Sequence, residues 1–171
     1  MKFRGYRAED FEAMFRLDEA CFASEFRFSR TMMRGVAEAG KARVVIAEQD
    51  GLAGFCVAHV ELVEGGCVGY VVTLDVAAEW RRKGLALELM QRVEDEAREA
   101  GCGAIALHVF VGNVGAIRFY ERCGFVQSRR AQGFYGEAGD AWVYRKALGD
   151  VELRGGEWDS IRGEDALGLP V

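Results

Sequence analysis

Residues 67–111 constrain the fold more than any other stretch of this chain. An apolar run, CVGYVVTLDV, ends at Val76, and a basic turn, Arg81-Arg82-Lys83-Gly84-Leu85-Ala86, follows shortly after it. A second apolar run occupies Ala104 to Val111. Runs that are apolar on both faces suit central strands covered on both sides. Between them the spacing predicts a helix over Arg82 to Ala100, because Ala86, Leu89, Met90, Val93 and Ala97 fall on one stripe. Glu88/Arg92 and Glu94/Arg98 are i,i+4 pairs expected on its solvated side, and Gly101 is a stop signal. Strand, helix and strand in this order close as a right-handed crossover, with the two strands parallel or nearly so.

The remaining segments add strands that pair antiparallel. Lys2 to Arg7 reads as a first strand. Glu9 to Phe22 carries Phe11, Met14, Phe15 and Leu17 at helical spacing, and Ser29 is the N-cap of a second helix running to about Ala39. The aromatic connection between them, CFASEFRF, reads either as helix packing or as a substrate-facing lip. Strands over Arg43 to Glu48, Leu52 to Leu62 and Cys67 to Val76 are separated by Asp50-Gly51 and Glu64-Gly65-Gly66, which predicts an antiparallel meander. Val114 to Cys123 is a short helix stopped by Gly124, and Phe125 to Ala131 with Ala141 to Lys146 form a closing antiparallel pair. With no repeat and no interdomain linker, the expectation is one α/β (α+β) domain over 1–147. It would hold a mixed, mostly antiparallel sheet of about seven strands flanked by about four helices. Residues 148–171 are rich in glycine and acid and are expected to form a tail or a surface appendage.

Composition excludes several classes. In 171 residues, half of them apolar, there is material for a substantial core. A net charge of −5 argues against broad nucleic-acid binding. The five cysteines form no CxxC pair, and with two histidines they argue against a metal site. Reduced, mostly buried thiols fit a cytoplasmic protein. The N-terminus lacks an apolar signal core, and no window approaches a membrane helix.

The basic turn has its own chemistry. The first turn of a helix offers free backbone N–H groups and the positive end of the helix dipole, so it binds anions. Arg81, Arg82 and Lys83 add charge, while Gly84 and Ala86 let an anion approach the backbone. The spacing is R-x-x-G-x-A, which is neither GxxxxGK[ST] nor GxGxxG. In isolation the same pattern fits a solvated basic helix start.

Its context supplies more. The turn RRKGLA, followed by Asn113, Ala116, Ile117, Tyr120, Gly124 and Phe125 in an N-x-x-A-I-x-x-Y-x-x-x-G-F pattern, resembles the two acetyl-CoA-contacting segments of the GNAT superfamily of N-acetyltransferases. The similarity runs to about residue 147. YVVTLDVAAEWRRKGLA, LHVFVGN and GFYGEAGDAWVYRKAL are further similar to N-terminal protein acetyltransferases of the ribosomal-protein alanine and NatE types.

The resemblance implies a splayed parallel strand pair at an acetyl-CoA site formed by Leu74, Val76, Arg81, Arg82, Lys83, Gly84, Leu85, Ala86, Asn113 and Tyr120. A backbone N–H near Val76 would serve the oxyanion, and Tyr120 would protonate the leaving thiolate. Tyr70 and His108 would form the catalytic pair, as in the NatE type. The ribosomal-protein enzymes usually carry Glu at the position of His108, and there the chain departs from them. Phe26, Val72, Phe134 and Tyr135 would contact a peptide. His59 reads as structural. A protein α-amine, with an ordinary pKa of about 7.7–8.0, is roughly a tenth neutral at pH 7, whereas lysine at about 10.4 is almost wholly charged. A histidine near 6.5 would therefore suffice as base for the α-amine. The expected partners are acetyl-CoA and a peptide or protein N-terminus or a small amine, with no nucleic acid, membrane or metal, in a monomer or homodimer. The alternatives are acetylation of a small-molecule amine and a non-catalytic acyl-CoA-binding module.

Overall fold

A computed structural model describes residues 1–149. Seven strands form one sheet: β1 (Lys2–Gly5), β2 (Ala42–Glu48), β3 (Leu52–Val63), β4 (Gly66–Val76), β5 (Ala104–Phe110), β6 (Val126–Ala131) and β7 (Ala141–Ala147). Their order is β1-β2-β3-β4-β5-β7-β6. Every pair is antiparallel except β4 with β5, which is parallel. The expected crossover and meander are both present. So is the closing pair, but β7 inserts between β5 and β6. Four α-helices flank the sheet: α1 (Phe11–Cys21), α2 (Arg30–Glu38), α3 (Leu85–Glu99) and α4 (Val114–Arg122).

Alternation along the strands sorts the core into two layers. Val45 and Ala47 of β2 face α3, where Leu89, Met90, Val93 and Ala97 are buried. Ile46 points the other way, with Phe55 and Val57, onto Phe11 and Met14 of α1 and Met33 and Val36 of α2. Each such fully buried side chain contributes about 1.5–3 kcal/mol. Ser29 caps α2 as expected, its hydroxyl accepting from the Met32 amide. His59 is structural, its Nε2 lying 2.8 Å from the Val36 carbonyl.

Two expectations for α3 need correction. The helix begins at Leu85 rather than Arg82, because Arg82 (φ 58°) and Gly84 (φ 88°) hold left-handed conformations that no α-helix can include. Nor does Glu94 lie on the solvated side. It is 3% exposed, and both its oxygens accept from Lys146 Nζ of β7 at 2.8 Å, with Arg98 a further partner at 3.4 Å. The pairing with Arg98 exists, but a distant strand draws the carboxylate inward.

The feature that shapes the site is a bulge in β4. Ala58 pairs with Val71 and Val57 with Thr73, which leaves Val72 as an extra residue. A bulge bends its strand and interrupts the ladder. Pairing of β4 with β5 ends at Val71↔Leu107, so 72–76 and 108–110 diverge. The splay expected from the resemblance is thus built from one inserted residue.

At the carboxyl end of the described chain, Leu148 is buried and its amide donates to the Gly103 carbonyl. The tail or appendage expected over 148–171 otherwise falls outside the described residues. No helix among those described is long and apolar enough to cross a membrane.

Candidate active site

Two cavities open where β4 and β5 separate. The larger, about 790 Å³, lies against the start of α3 and is lined by Val76, Arg81, Arg82, Gly84, Ala86 and Asn113 together with Leu87, Gly115, Phe119 and Arg122. Gly84 is the N-cap of α3 and supplies no side chain to the amides behind it, so the first-turn N–H groups have no intrahelical or capping partner. Nothing lies within 4 Å of a Cβ built on Gly84, so it is the positive φ that calls for glycine there.

The basic residues of the turn divide their work. Arg81 turns back on the strand end, its Nε donating to the Val76 carbonyl at 3.0 Å and its Nη2 approaching Cys21 Sγ at 3.4 Å. Lys83 Nζ stands 5.1 Å from the Trp80 ring centroid and is not among the residues lining the cavity. Leu85 is buried in the core, so only its backbone can serve the turn. Arg82 remains at the cavity wall. Arg122, from the last turn of α4, adds a cation that the sequence reading missed. Its position in E-R-C-G-F, just ahead of the helix stop, was the available signal.

The second cavity, about 280 Å³, gathers the residues expected to carry the chemistry. Tyr70, Val72 and Leu74 enter it from β4, His108 from β5, Tyr120 from α4, Phe26 from the α1–α2 connection, and Phe134 and Tyr135 from the β6–β7 connection. All four residues expected to contact a peptide therefore meet all three expected catalytic residues in one cleft. Asn113 and Ala116 line both cavities, so the two spaces adjoin at the first turn of α4. Asn113 also caps that helix, its Oδ1 accepting from the Ala116 amide at 3.1 Å.

Within the cleft the Tyr70 hydroxyl lies 2.9 Å from His108 Nδ1, and the imidazole stacks on Phe134 at 4.0 Å and 6°. Burial, reinforced by the like charge of Arg129, pushes the His108 pKa down to about 4. The expectation of an ordinary histidine base near 6.5 is corrected accordingly. Burial raises the Tyr70 and Tyr120 hydroxyls above the usual phenol value, so both remain protonated at neutral pH. Phe26, Phe110 and Tyr135 close one wall, with Phe26 5.0 Å from Phe110 and 5.1 Å from Tyr135. Phe110 was not foreseen as a site residue, although its parity with His108 on the same strand pointed to it. None of the five cysteines is paired in a disulfide, and none adjoins a base within this cleft.

A strand pair splayed by a bulge, an uncapped basic turn beside it, and a tyrosine-bearing helix on its far side are the arrangement that the resemblance implied. The sequence matches the Acetyltransferase (GNAT) family over residues 9–125, and the chain belongs to that family. It is 35% identical over 74 residues to the N-alpha-acetyltransferase MAK3 of Arabidopsis thaliana, covering 43% of this chain and 39% of that protein. It is 36% identical over 76 residues to N-alpha-acetyltransferase 30 of Schizosaccharomyces pombe, covering 44% and 51%. The matched segments thus span about two fifths and one half of those relatives. Among solved structures, Arabidopsis thaliana NAA60 in complex with a bisubstrate analogue superposes with a TM-score of 0.77 at 24% identity, covering 86% of this chain and 99% of that one.

Proposed function

We propose that this protein transfers the acetyl group of acetyl-CoA to the N-terminal α-amine of a protein or peptide, by direct attack in a ternary complex. The observation that carries this reading is the junction at Asn113 and Ala116, where a cavity at an uncapped basic turn meets an aromatic cleft holding the Tyr70–His108 pair. The curated relatives named above, both N-alpha-acetyltransferases, support the choice of amine.

In this reading the α3 amides, Arg82 and Arg122 hold the diphosphate, and the pantetheine arm runs along the splayed strand past Leu74 and Val76. The thioester then lies beside Tyr120. The neutral α-amine attacks the thioester carbon, and a backbone N–H near Val76 holds the resulting oxyanion. The C–S bond breaks as the Tyr120 hydroxyl donates a hydrogen bond to the departing thiolate, and the proton released by the amine passes from His108 through solvent to the sulfur, so no phenolate is left.

Burial of His108 decides the order of proton transfer. Taking a proton from a free α-ammonium near 8 to an imidazole near 4 is uphill by about 5 kcal/mol. Once the amine has attacked, its nitrogen is far more acidic, and a weak base suffices. The proton therefore leaves after attack, directly or through a water, to His108 Nε2, while the Tyr70 hydroxyl holds Nδ1. A pKa lowered to about 4 by burial keeps His108 neutral, and so free to accept that proton, at neutral pH.

Phe26, Val72, Phe134 and Tyr135 line the space for the acceptor, an apolar lip suited to a peptide. The setting is cytoplasmic, and the protein acts as a monomer or homodimer. A direct test mixes the protein with acetyl-CoA and a peptide library varied at the first two residues, alongside amino acids and polyamines, and follows thiol release. Turnover on peptides is expected. Turnover confined to small amines would replace this reading with the small-molecule one, and cofactor binding without turnover would make the chain an acyl-CoA-binding module.

A further inference from the structure

The contact between Phe134 and His108 is closer and flatter than any other aromatic contact in the cleft. The two rings are 4.0 Å apart and 6° from parallel, while the remaining aromatic pairs of the cleft are tilted by 44° or more. One face of the imidazole is therefore covered. One edge is also taken, since Nδ1 lies 2.9 Å from the Tyr70 hydroxyl. Nε2 has no hydrogen-bond partner among the described residues, and the ring borders the cleft.

Phe134 is itself held firmly. It sits in the β6–β7 connection, where Asp140 Oδ1 accepts from the Gly133 amide at 2.8 Å and Oδ2 from Arg130 Nε at 2.7 Å. The Tyr135 amide closes the loop on the Gly139 carbonyl at 3.0 Å, and the Tyr135 ring packs edge-on against Phe134 at 4.9 Å and 87°. A side chain used only to touch an incoming peptide would gain nothing from lying flat on the base. A side chain that fixes the plane of the imidazole must do so.

We infer that Phe134 is a positioning residue: its ring fixes the plane of His108 so that Nδ1 stays on the Tyr70 hydroxyl and Nε2 stays open to the acceptor amine. This rests on the proposed role of His108 and reassigns one face of Phe134 from peptide contact to the base. Stacking holds the flat geometry, and the same covering face withholds water from the imidazole and favours its neutral form. The other titratable or charged groups lining the cleft are Tyr70 on β4, Tyr120 on α4, Tyr135 in the β6–β7 connection, and Glu25 and Arg27 in the α1–α2 connection, and Arg129 on β6 acts on the ring by its charge. None of these covers a face of the imidazole as Phe134 does.

The test uses the full chain with Phe134→Ala, Phe134→Leu and Phe134→Tyr, beside His108→Gln. Phe134→Leu keeps apolar bulk but loses the flat ring, and Phe134→Tyr keeps it. Acetylation of a peptide with a free α-amine is measured from pH 5 to 9, and the His108 ring proton is followed by NMR. With two histidines in the chain, the His108→Gln spectrum assigns the signal. The expected result is a kcat about 10- to 100-fold lower for Ala and Leu, near wild type for Tyr, with the KM for acetyl-CoA unchanged. The His108 titration should rise from about 4 toward the ordinary histidine range in Phe134→Ala. The double variant with His108→Gln should lose no more activity than His108→Gln alone.

A raised peptide KM with kcat and His108 titration unmoved would overturn the inference and leave Phe134 a peptide contact. Equal loss in Ala, Leu and Tyr would also overturn it. If His108→Gln keeps full activity, the reading of the base fails, and this inference fails with it. If His108→Gln is impaired while Phe134→Leu is not, only the inference fails.

Discussion

Two glycines allow Phe110 to stand where it does. A Cβ on Gly112 would lie 2.5 Å from the Phe110 ring, and one on Gly139 would lie 3.3 Å from it. The ring thereby reaches Phe26 and Tyr135 and completes the wall of the cleft. Gly112→Ala should displace Phe110 and raise the KM for a peptide several-fold while leaving the KM for acetyl-CoA unchanged, as steady-state kinetics with each substrate varied will test. Tyr120→Phe removes the hydroxyl assigned to the thiolate, and kcat should fall about 10- to 100-fold with acetyl-CoA affinity retained. Equal activity of Tyr120→Phe would leave the ring as packing beneath the cofactor. Residues at this scale were unevenly legible. Tyr70, His108 and Tyr120 stand in recognisable strings, and each lines the cleft. Phe110, Gly112 and Gly139 do not, because their relation is a contact between the end of one strand and a loop that returns 27 residues after Gly112.

At the scale of elements, α3 illustrates both what periodicity conveys and what it omits. Its apolar stripe was readable because each stripe residue needs only the helix itself to define its face. The fate of Glu94 was not, because its partner Lys146 is 52 residues away on β7. Likewise the strings for β6 and β7 define a hairpin-like pair but not which strand meets β5. Lys146→Met should leave the Glu94 carboxylate buried with Arg98 as its remaining partner, at a cost of about 2–4 kcal/mol. Chemical denaturation is the measurement, and Glu94→Gln in the same chain should recover part of the loss. A Lys146→Met protein as stable as the parent would mean that Arg98 or water satisfies the carboxylate.

Across the whole molecule, the two sheet faces carry different layers: α3 and its core on one, and the α1–α2 layer leading to the aromatic cleft on the other. Asp18 of α1 belongs to that second layer. It is fully buried, with one oxygen accepting from the Phe28 amide and the other unpartnered. Burial raises its pKa from 3.8 to about 6, with the neighbouring Asp75, also buried, held well above the carboxylate range. The folded state thus binds the Asp18 proton more tightly than the unfolded chain, so this group's contribution falls as pH rises from about 4 to about 6 and stays low above that. Asp18→Asn retains the acceptor for Phe28 and removes the charge. It should stabilise the protein by about 1–3 kcal/mol at pH 7.5 relative to the parent and by little at pH 4. Urea denaturation of both proteins at the two pH values tests this, and an equal difference at both would contradict it.

The identity of the acetylated nitrogen is the most direct test of the function proposed for this cleft. A peptide with a free N-terminus and an internal lysine, and the same peptide with its N-terminus blocked, can be incubated with acetyl-CoA and the acetyl group located by mass spectrometry. Acetylation at the α-amine of the first peptide, and none on the second, is expected. Modification of the lysine in the blocked peptide at a comparable rate would contradict an α-amine acetyltransferase that relies on an already neutral acceptor.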